Sequence, residues 1–178
     1  MIIDLCCGQG KWSEETVSID IDKKVRPTIQ ADIRYLPLRK GIRPKLVHAS
    51  PPCKYLTMAR AHVYGYDEKG IADSLRIVAA CFDAFDWLEP KMWTLENPTN
   101  GVLRRVLPKP SVKTNYQVYD YAHKPTSFWS NERSLKRAMI PQYVKDQILS
   151  VANGNPENRS CQNHLTKVEG YDLSKKDS

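Results

Sequence analysis

The chain has 178 residues, 41% of them hydrophobic and 26% charged, enough for one domain with a core of its own. That balance excludes a disordered chain, and no apolar run approaches the roughly 20 residues that cross a bilayer. The formal net charge of +7 favours a polyanionic partner, because basic surface neutralises phosphates; the plainer alternative is simple solubility.

Taken in chain order, Ile2, Ile3 and Leu5 form a short apolar run that stops at Cys7-Gly8-Gln9-Gly10, a buried strand feeding a glycine loop. Asp4 interrupts this run, so no signal peptide is expected, and the protein is expected to be soluble and to stay where it is made. Val17-Ser18-Ile19-Asp20-Ile21 predicts a second strand with an acidic end, and a third segment closes at Ala31-Asp32-Ile33. Leu46-Val47-His48-Ala49 predicts a fourth strand, running into Ser50-Pro51-Pro52-Cys53, where the prolines forbid further ladder bonding. Ile71, Leu75, Val78, Phe82 and Phe85 recur at helical spacing and predict a helix over 71–88. Met92-Trp93-Thr94-Leu95 predicts a fifth strand that ends at Glu96-Asn97-Pro98.

Strands alternating with helices predict an α/β domain with a parallel sheet between helical layers. In such sheets ligands gather at the carboxyl ends of the strands, where each of these polar clusters falls. Residues 99–135 differ: they are basic and turn-rich, with Tyr116, Tyr119, Tyr121, Phe128 and Trp129 among Arg104, Arg105, Lys109, Lys113 and Lys124. A last helix is predicted over 141–152, with proline in its first turn, and residues 153–178 read as a polar, loosely ordered tail.

Three segments carry chemistry. In Asp4-Leu5-Cys6-Cys7-Gly8-Gln9-Gly10, glycine lets the backbone approach a ligand closely and take positive φ. Asp20 suits hydrogen bonding to ribose hydroxyls, and Asp32 suits an adenine amino group. Taken singly, these are as well explained by a tight turn and solvated carboxylates; in strand order they point to an adenosine-bearing cofactor. In Ser50-Pro51-Pro52-Cys53 two prolines stiffen the backbone and aim a thiol from a strand end. Such a thiol is a nucleophile where neighbouring cations favour the thiolate, and otherwise a small buried hydrophobe. Glu96 at the next strand end is a carboxyl able to protonate a ring nitrogen when shielded from water. Asn97 is placed to orient it or brace the loop; a plain turn cluster is the alternative. Five cysteines leave at least one unpaired, and adjacent Cys6 and Cys7 do not both bridge inside one strand end, so reduced thiols are expected. Cys161 and His164 have ligand-like spacing but stand alone in the polar tail, so no metal site is expected.

In this order and spacing the three segments resemble the DNA cytosine-C5 methyltransferases, above all the short enzymes of phages and mobile elements. Lys124-Pro125-Thr126 and Phe128-Trp129-Ser130-Asn131 are similar to that subgroup too, and the resemblance spans residues 2–152. It implies a Rossmann-like S-adenosylmethionine-dependent methyltransferase fold, with a mostly parallel twisted sheet and helices on both faces. The methyltransferase domain would occupy 1–152, with 99–135 as a basic, aromatic insertion in place of a large target-recognition domain. Asp4, Cys6, Gly8 and Gly10 would line S-adenosylmethionine, Asp20 would hold its ribose, and Ile21, Asp32 and Ile33 its adenine. Cys53, beside Pro52, would be the nucleophile, Glu96 the acid at cytosine N3, and Asn97 its neighbour. The family's Gln-x-Arg-x-Arg segment has no clean counterpart, since Gln117-Val118-Tyr119-Asp120-Tyr121 carries tyrosines there; Lys124 or Arg60 would supply that cation. DNA is the implied partner, with no membrane, in the cytoplasm of a prokaryotic cell or a virus-infected host. RNA methylation and a catalytically idle nucleic-acid-binding relative are the alternatives.

Overall fold

The computed structural model describes residues 1–9, 13–115, 125–133 and 135. Gly10, Lys124, the tyrosines at 116, 119 and 121, the helix expected over 141–152 and the tail lie outside these residues, as does the side chain of Arg60.

Seven strands form one sheet: β1 (Ile2–Leu5), β2 (Thr16–Asp20), β3 (Ile29–Gln30), β4 (Leu46–Ala49), β5 (Met92–Pro98), β6 (Val112–Asn115) and β7 (Pro125–Ser130). Their order is β3-β2-β1-β4-β5-β7-β6. The first five run parallel, whereas β7 runs antiparallel to both β5 and β6. The Rossmann-like expectation is met in its central feature: the chain winds outward from β1 to β3, returns to β4, and winds outward the other way. The crevice between the carboxyl ends of β1 and β4 is thus the topological switch point where such sheets bind ligands.

The helices are α1 (Met58–Tyr64), α2 (Glu68–Leu88) and the short α3 (Leu103–Val106). Asp67 caps α2 by accepting the Gly70 N–H at 2.8 Å, and Glu89 closes it in the left-handed conformation, so both ends are satisfied locally. The strand register aligns Leu5, Ile19, Ala49 and Leu95 in one row. These residues share an apolar core with Val78, Cys81, Phe85 and Leu88 of α2. Phe85 stacks on Trp93 with centroids 4.9 Å apart, and Phe82 meets the same indole edge-on at 5.5 Å. The alternate row is polar though buried: Asp4, Ser18, His48 and Thr94. Burial on both sides is the ordinary state of central parallel strands; a polar row there is not.

β5 ends at Glu96-Asn97-Pro98 as expected, and β7 pairs with it as far as Thr126. Other expectations are corrected. Asp32 does not close a strand: β3 is already over, and Asp32 caps a 3-10 turn over Ile33–Tyr35 by accepting the Arg34 N–H. The stretch read as an insertion contributes β6 and β7 to the main sheet, and it buries Phe128 and Trp129 rather than presenting them to a partner. Helix α1 was not expected at all. Among the described residues no helix is long and apolar enough to cross a membrane.

Gly101 sits where the chain leaving β5 meets the chain entering α1. It bridges to Thr57, and the Val102 N–H donates to the Leu56 carbonyl at 2.8 Å. A β-carbon at Gly101 would lie 2.4 Å from that carbonyl oxygen, and backbone has little room to step aside. Gly101→Ala is therefore expected to cost about 1–3 kcal/mol. Urea unfolding measures it, and an unchanged midpoint would mean that the two segments are not in contact.

Candidate active site

The loop after β1 is shaped by two left-handed residues, Cys6 (φ +54°) and Gly8 (φ +55°). Glycine takes this conformation freely, whereas at Cys6 it costs roughly 1–2 kcal/mol, which the surroundings must impose. Asp20, at the end of β2, does much of this. Its Oδ2 accepts the Gly8 N–H at 3.0 Å and its Oδ1 the Asp22 N–H at 2.9 Å. The Cys7 N–H donates to the Ile19 carbonyl at 3.3 Å. The Cys6 thiol is hydrogen-bonded to the thiol of Cys81 on α2, and this bond, with burial, holds it protonated far above the usual thiol range. Burial, followed by the Asp4 and Asp20 carboxylates, pushes Cys7 up to about 11.

Beside this loop opens a cavity of about 280 Å³, lined by Cys6, Gly8, Asp20, Ile21, Asp32 and Ile33. Every described residue expected around the cofactor is there except Asp4, which is buried in β1 on the polar row. Ile21 leaves 63% of its surface exposed, an apolar side chain available at the cavity's edge. The Asp32 carboxylate accepts the Arg34 Nε–H at 2.9 and 3.0 Å, and that bond holds its carboxyl below the usual carboxylate range. Ser50, Pro52 and Ile77 complete the wall, so the cavity reaches the loop after β4. Pro52 and Ile77 also line a second hollow of about 360 Å³, which contains Lys54 and Tyr55.

The loop after β4 carries Cys53, which is half-buried and has no disulfide partner. The Leu56 N–H closes a turn on the Cys53 carbonyl at 2.9 Å. Tyr55 then packs so closely on the first turn of α2 that a β-carbon at Gly70 would meet its ring at 2.4 Å. On the next strand Asn97 is buried, and its Nδ2 donates to the Pro51 carbonyl at 3.0 Å. That bond ties the Glu96-Asn97 strand end directly to the Pro51-Pro52-Cys53 loop.

Glu96 retains 15% side-chain exposure, and its Oε2 lies 3.9 Å from His48 Nε2. His48, within β4, makes two hydrogen bonds: Nε2 with Ser50 Oγ at 2.8 Å and Nδ1 with Thr94 Oγ1 at 2.8 Å. One imidazole thus touches the start of the cysteine loop, the adjacent strand and the surroundings of the carboxyl. A histidine inside an otherwise apolar strand, two residues before the loop, was the signal in the sequence that would have found it. Among the described residues no three His, Cys, Asp or Glu side chains cluster to hold a metal ion.

No protein-family model and no curated protein matches this chain. Among solved structures it is similar to the DhpI-SAM-HEP complex, at 12% identity over 84% of this chain and 68% of that one, with a TM-score of 0.31.

The four described cysteines differ sharply in environment. Cys81 is fully buried, Cys6 and Cys7 are held protonated, and Cys53 is accessible in its loop. Brief labelling of the native protein with iodoacetamide at pH 8, mapped by peptide mass spectrometry, is expected to modify Cys53 before these three. Faster labelling of Cys6 or Cys7 would contradict this arrangement.

Proposed function

We propose that the chain is an S-adenosylmethionine-dependent methyltransferase that transfers a methyl group to C5 of cytosine in DNA, with Cys53 as nucleophile. The observation that carries this reading is the Asn97–Pro51 hydrogen bond. It joins the thiol's loop to the carboxyl's strand, and Pro52 of that loop walls the cavity held by Asp20.

The cavity suits an adenosine. Each Asp20 oxygen accepts one backbone N–H and keeps a lone pair for a ribose hydroxyl. Ile21 offers apolar surface to a base, and Asp32 stays ionised beside Arg34. At about 280 Å³ the cavity falls just below the usual range of roughly 300–1,000 Å³ for small-molecule sites. It would hold the adenosine end of the cofactor, with Asp20, Ile21 and Asp32 lining it. When bound, S-adenosylmethionine supplies the electrophilic methyl group.

C5 of cytosine is a weak nucleophile and is stacked inside a duplex, so the base must leave the stack, at a cost of a few kcal/mol. The Cys53 thiolate adds to C6, forming the S–C6 bond, while Glu96 gives a proton or hydrogen bond to N3. The electron pair displaced from the C5–C6 bond makes C5 nucleophilic, and the bound cofactor would supply the methyl group, its S–CH3 bond breaking to leave a neutral thioether. Transfer of the C5 proton to solvent then restores the double bond and expels the Cys53 thiolate. His48 holds Ser50 and lies 3.9 Å from the Glu96 carboxyl.

Incubation with DNA and isotopically labelled cofactor, followed by nucleoside mass spectrometry, is expected to yield 5-methylcytosine. Cys53→Ser should abolish it, and undiminished turnover in that variant would exclude Cys53 as the nucleophile. DNA containing 5-fluorocytosine should trap a covalent adduct at Cys53, since fluorine does not leave as a proton does. Asp20→Ala removes both loop bonds and the ribose acceptor. Its affinity for S-adenosylmethionine, measured by calorimetry, is expected to fall about tenfold or more, in line with charge-assisted hydrogen bonds of about 1.5–3 kcal/mol. Wild-type affinity would take Asp20 out of that role.

A further inference from the structure

The chain leaving the cysteine loop and the chain leaving β5 run together beyond the site. The Met58 N–H donates to the Asn100 carbonyl at 3.1 Å, Val102 donates to Leu56, and Thr57 bridges to Gly101. Between α1 and α3 these contacts leave a cavity of about 370 Å³, lined by Met58, His62, Asn100, Gly101, Arg104 and Arg105. Among the described residues no acidic side chain lines it. Arg104, Arg105 and His62 are exposed, and among the described residues neither arginine forms an ion pair.

Basic side chains on a convex helix are ordinarily a solvated surface. Here two arginines converge on a hollow with an amide and an imidazole, and aromatic surface adjoins it. Tyr66 is 65% exposed, and its hydroxyl reaches back to Met58 Sδ at 3.8 Å, at the cavity wall. Tyr64 is 75% exposed on the last turn of α1. Guanidinium groups that bind phosphate oxygens in pairs, next to rings on which bases stack, are the chemistry of a nucleic-acid surface. Phe128 and Trp129, the aromatic residues of β7, are buried in the sheet and are not available for that task.

We infer that this cavity is a phosphodiester-binding surface that receives the DNA backbone flanking the target base, with Arg104 and Arg105 on the phosphates. The inference rests on the site beside it being the methyl-transfer centre. A strand held here lies near the Cys53 loop and the Glu96 end of β5, because the same backbone bonds that build the cavity join the segments that follow them.

Binding of the full-length protein to fluorescein-labelled duplex DNA, followed by anisotropy over a potassium chloride series without cofactor, tests it. Neutralising both arginines in R104Q/R105Q is expected to weaken binding about tenfold and to make the dependence of log K on log salt shallower by about two, one per lost phosphate contact. H62Q, with its smaller expected loss, is the second variant, and far-UV circular dichroism verifies folding of both. Parental affinity and salt dependence in R104Q/R105Q, or no DNA binding by the parent protein, overturns the surface. A matched tRNA arm that binds more tightly than DNA overturns the commitment to DNA. DNA binding that depends on these arginines, in a protein that transfers no methyl group, upholds the surface and sinks the enzymatic reading alone.

Discussion

A carbonyl between two prolines has few ways to be satisfied, because the residue that follows it brings no N–H and the rigid rings keep the chain from folding back on itself. In this protein the carbonyl of Pro51 is buried, and the amide of Asn97 reaches it from the neighbouring strand. A buried acceptor left without its donor costs about 1–3 kcal/mol, so the bond fixes the loop as firmly as it satisfies it. The rest of the site follows from that constraint. Pro52 is set against the cavity beside Asp20, Cys53 follows it on a closed turn, and Glu96 is held at the strand end one residue before the amide.

Asp20 plays the corresponding part on the other side of the switch point. Its two oxygens hold the N–H groups of Gly8 and Asp22, so a single carboxylate fixes both the glycine loop and the turn after its own strand. This accounts for the left-handed Cys6: the strain sits between a strand anchored in the core and an amide anchored on Asp20. Strain of this kind persists where the surroundings over-determine the backbone, commonly at ligand sites.

How much of this was legible beforehand depended on the range of the interactions. β4 was read to the residue, since a short apolar run stopped by prolines is a local signal. The residues expected around a cofactor were also read from local signals, and all but Asp4 of those described line one cavity. The failures were non-local. Nothing near Glu96 announces that β7 will pair antiparallel with it, and that pairing puts Phe128 and Trp129 of the expected insertion inside the sheet. Asp32 looked like a strand terminus because capping and strand-ending favour the same residue type. α1 was missed because a seven-residue helix shows too little periodicity to stand out from a loop.

The two sides of the sheet explain why the polar row could not be replaced by a second apolar layer. On the α2 side, Leu5, Ile19, Ala49 and Leu95 meet a helix, and area burial together with the Phe85–Trp93 stack holds them. On the other side, alternation along β4 and β5 puts His48, Thr94 and Glu96 on the same side as Asp4 and Ser18, because side chains repeat every second residue. If Leu95 is to face the core, Glu96 must face away from it, and a carboxyl at that position needs polar neighbours. His48 supplies them through Thr94 and Ser50. The buried histidine is thus the structural counterpart of a carboxyl at the end of β5: the register that seals the apolar core also puts Asp4, His48, Thr94 and Glu96 on the reverse side, among buried Leu46, Met92 and Phe128.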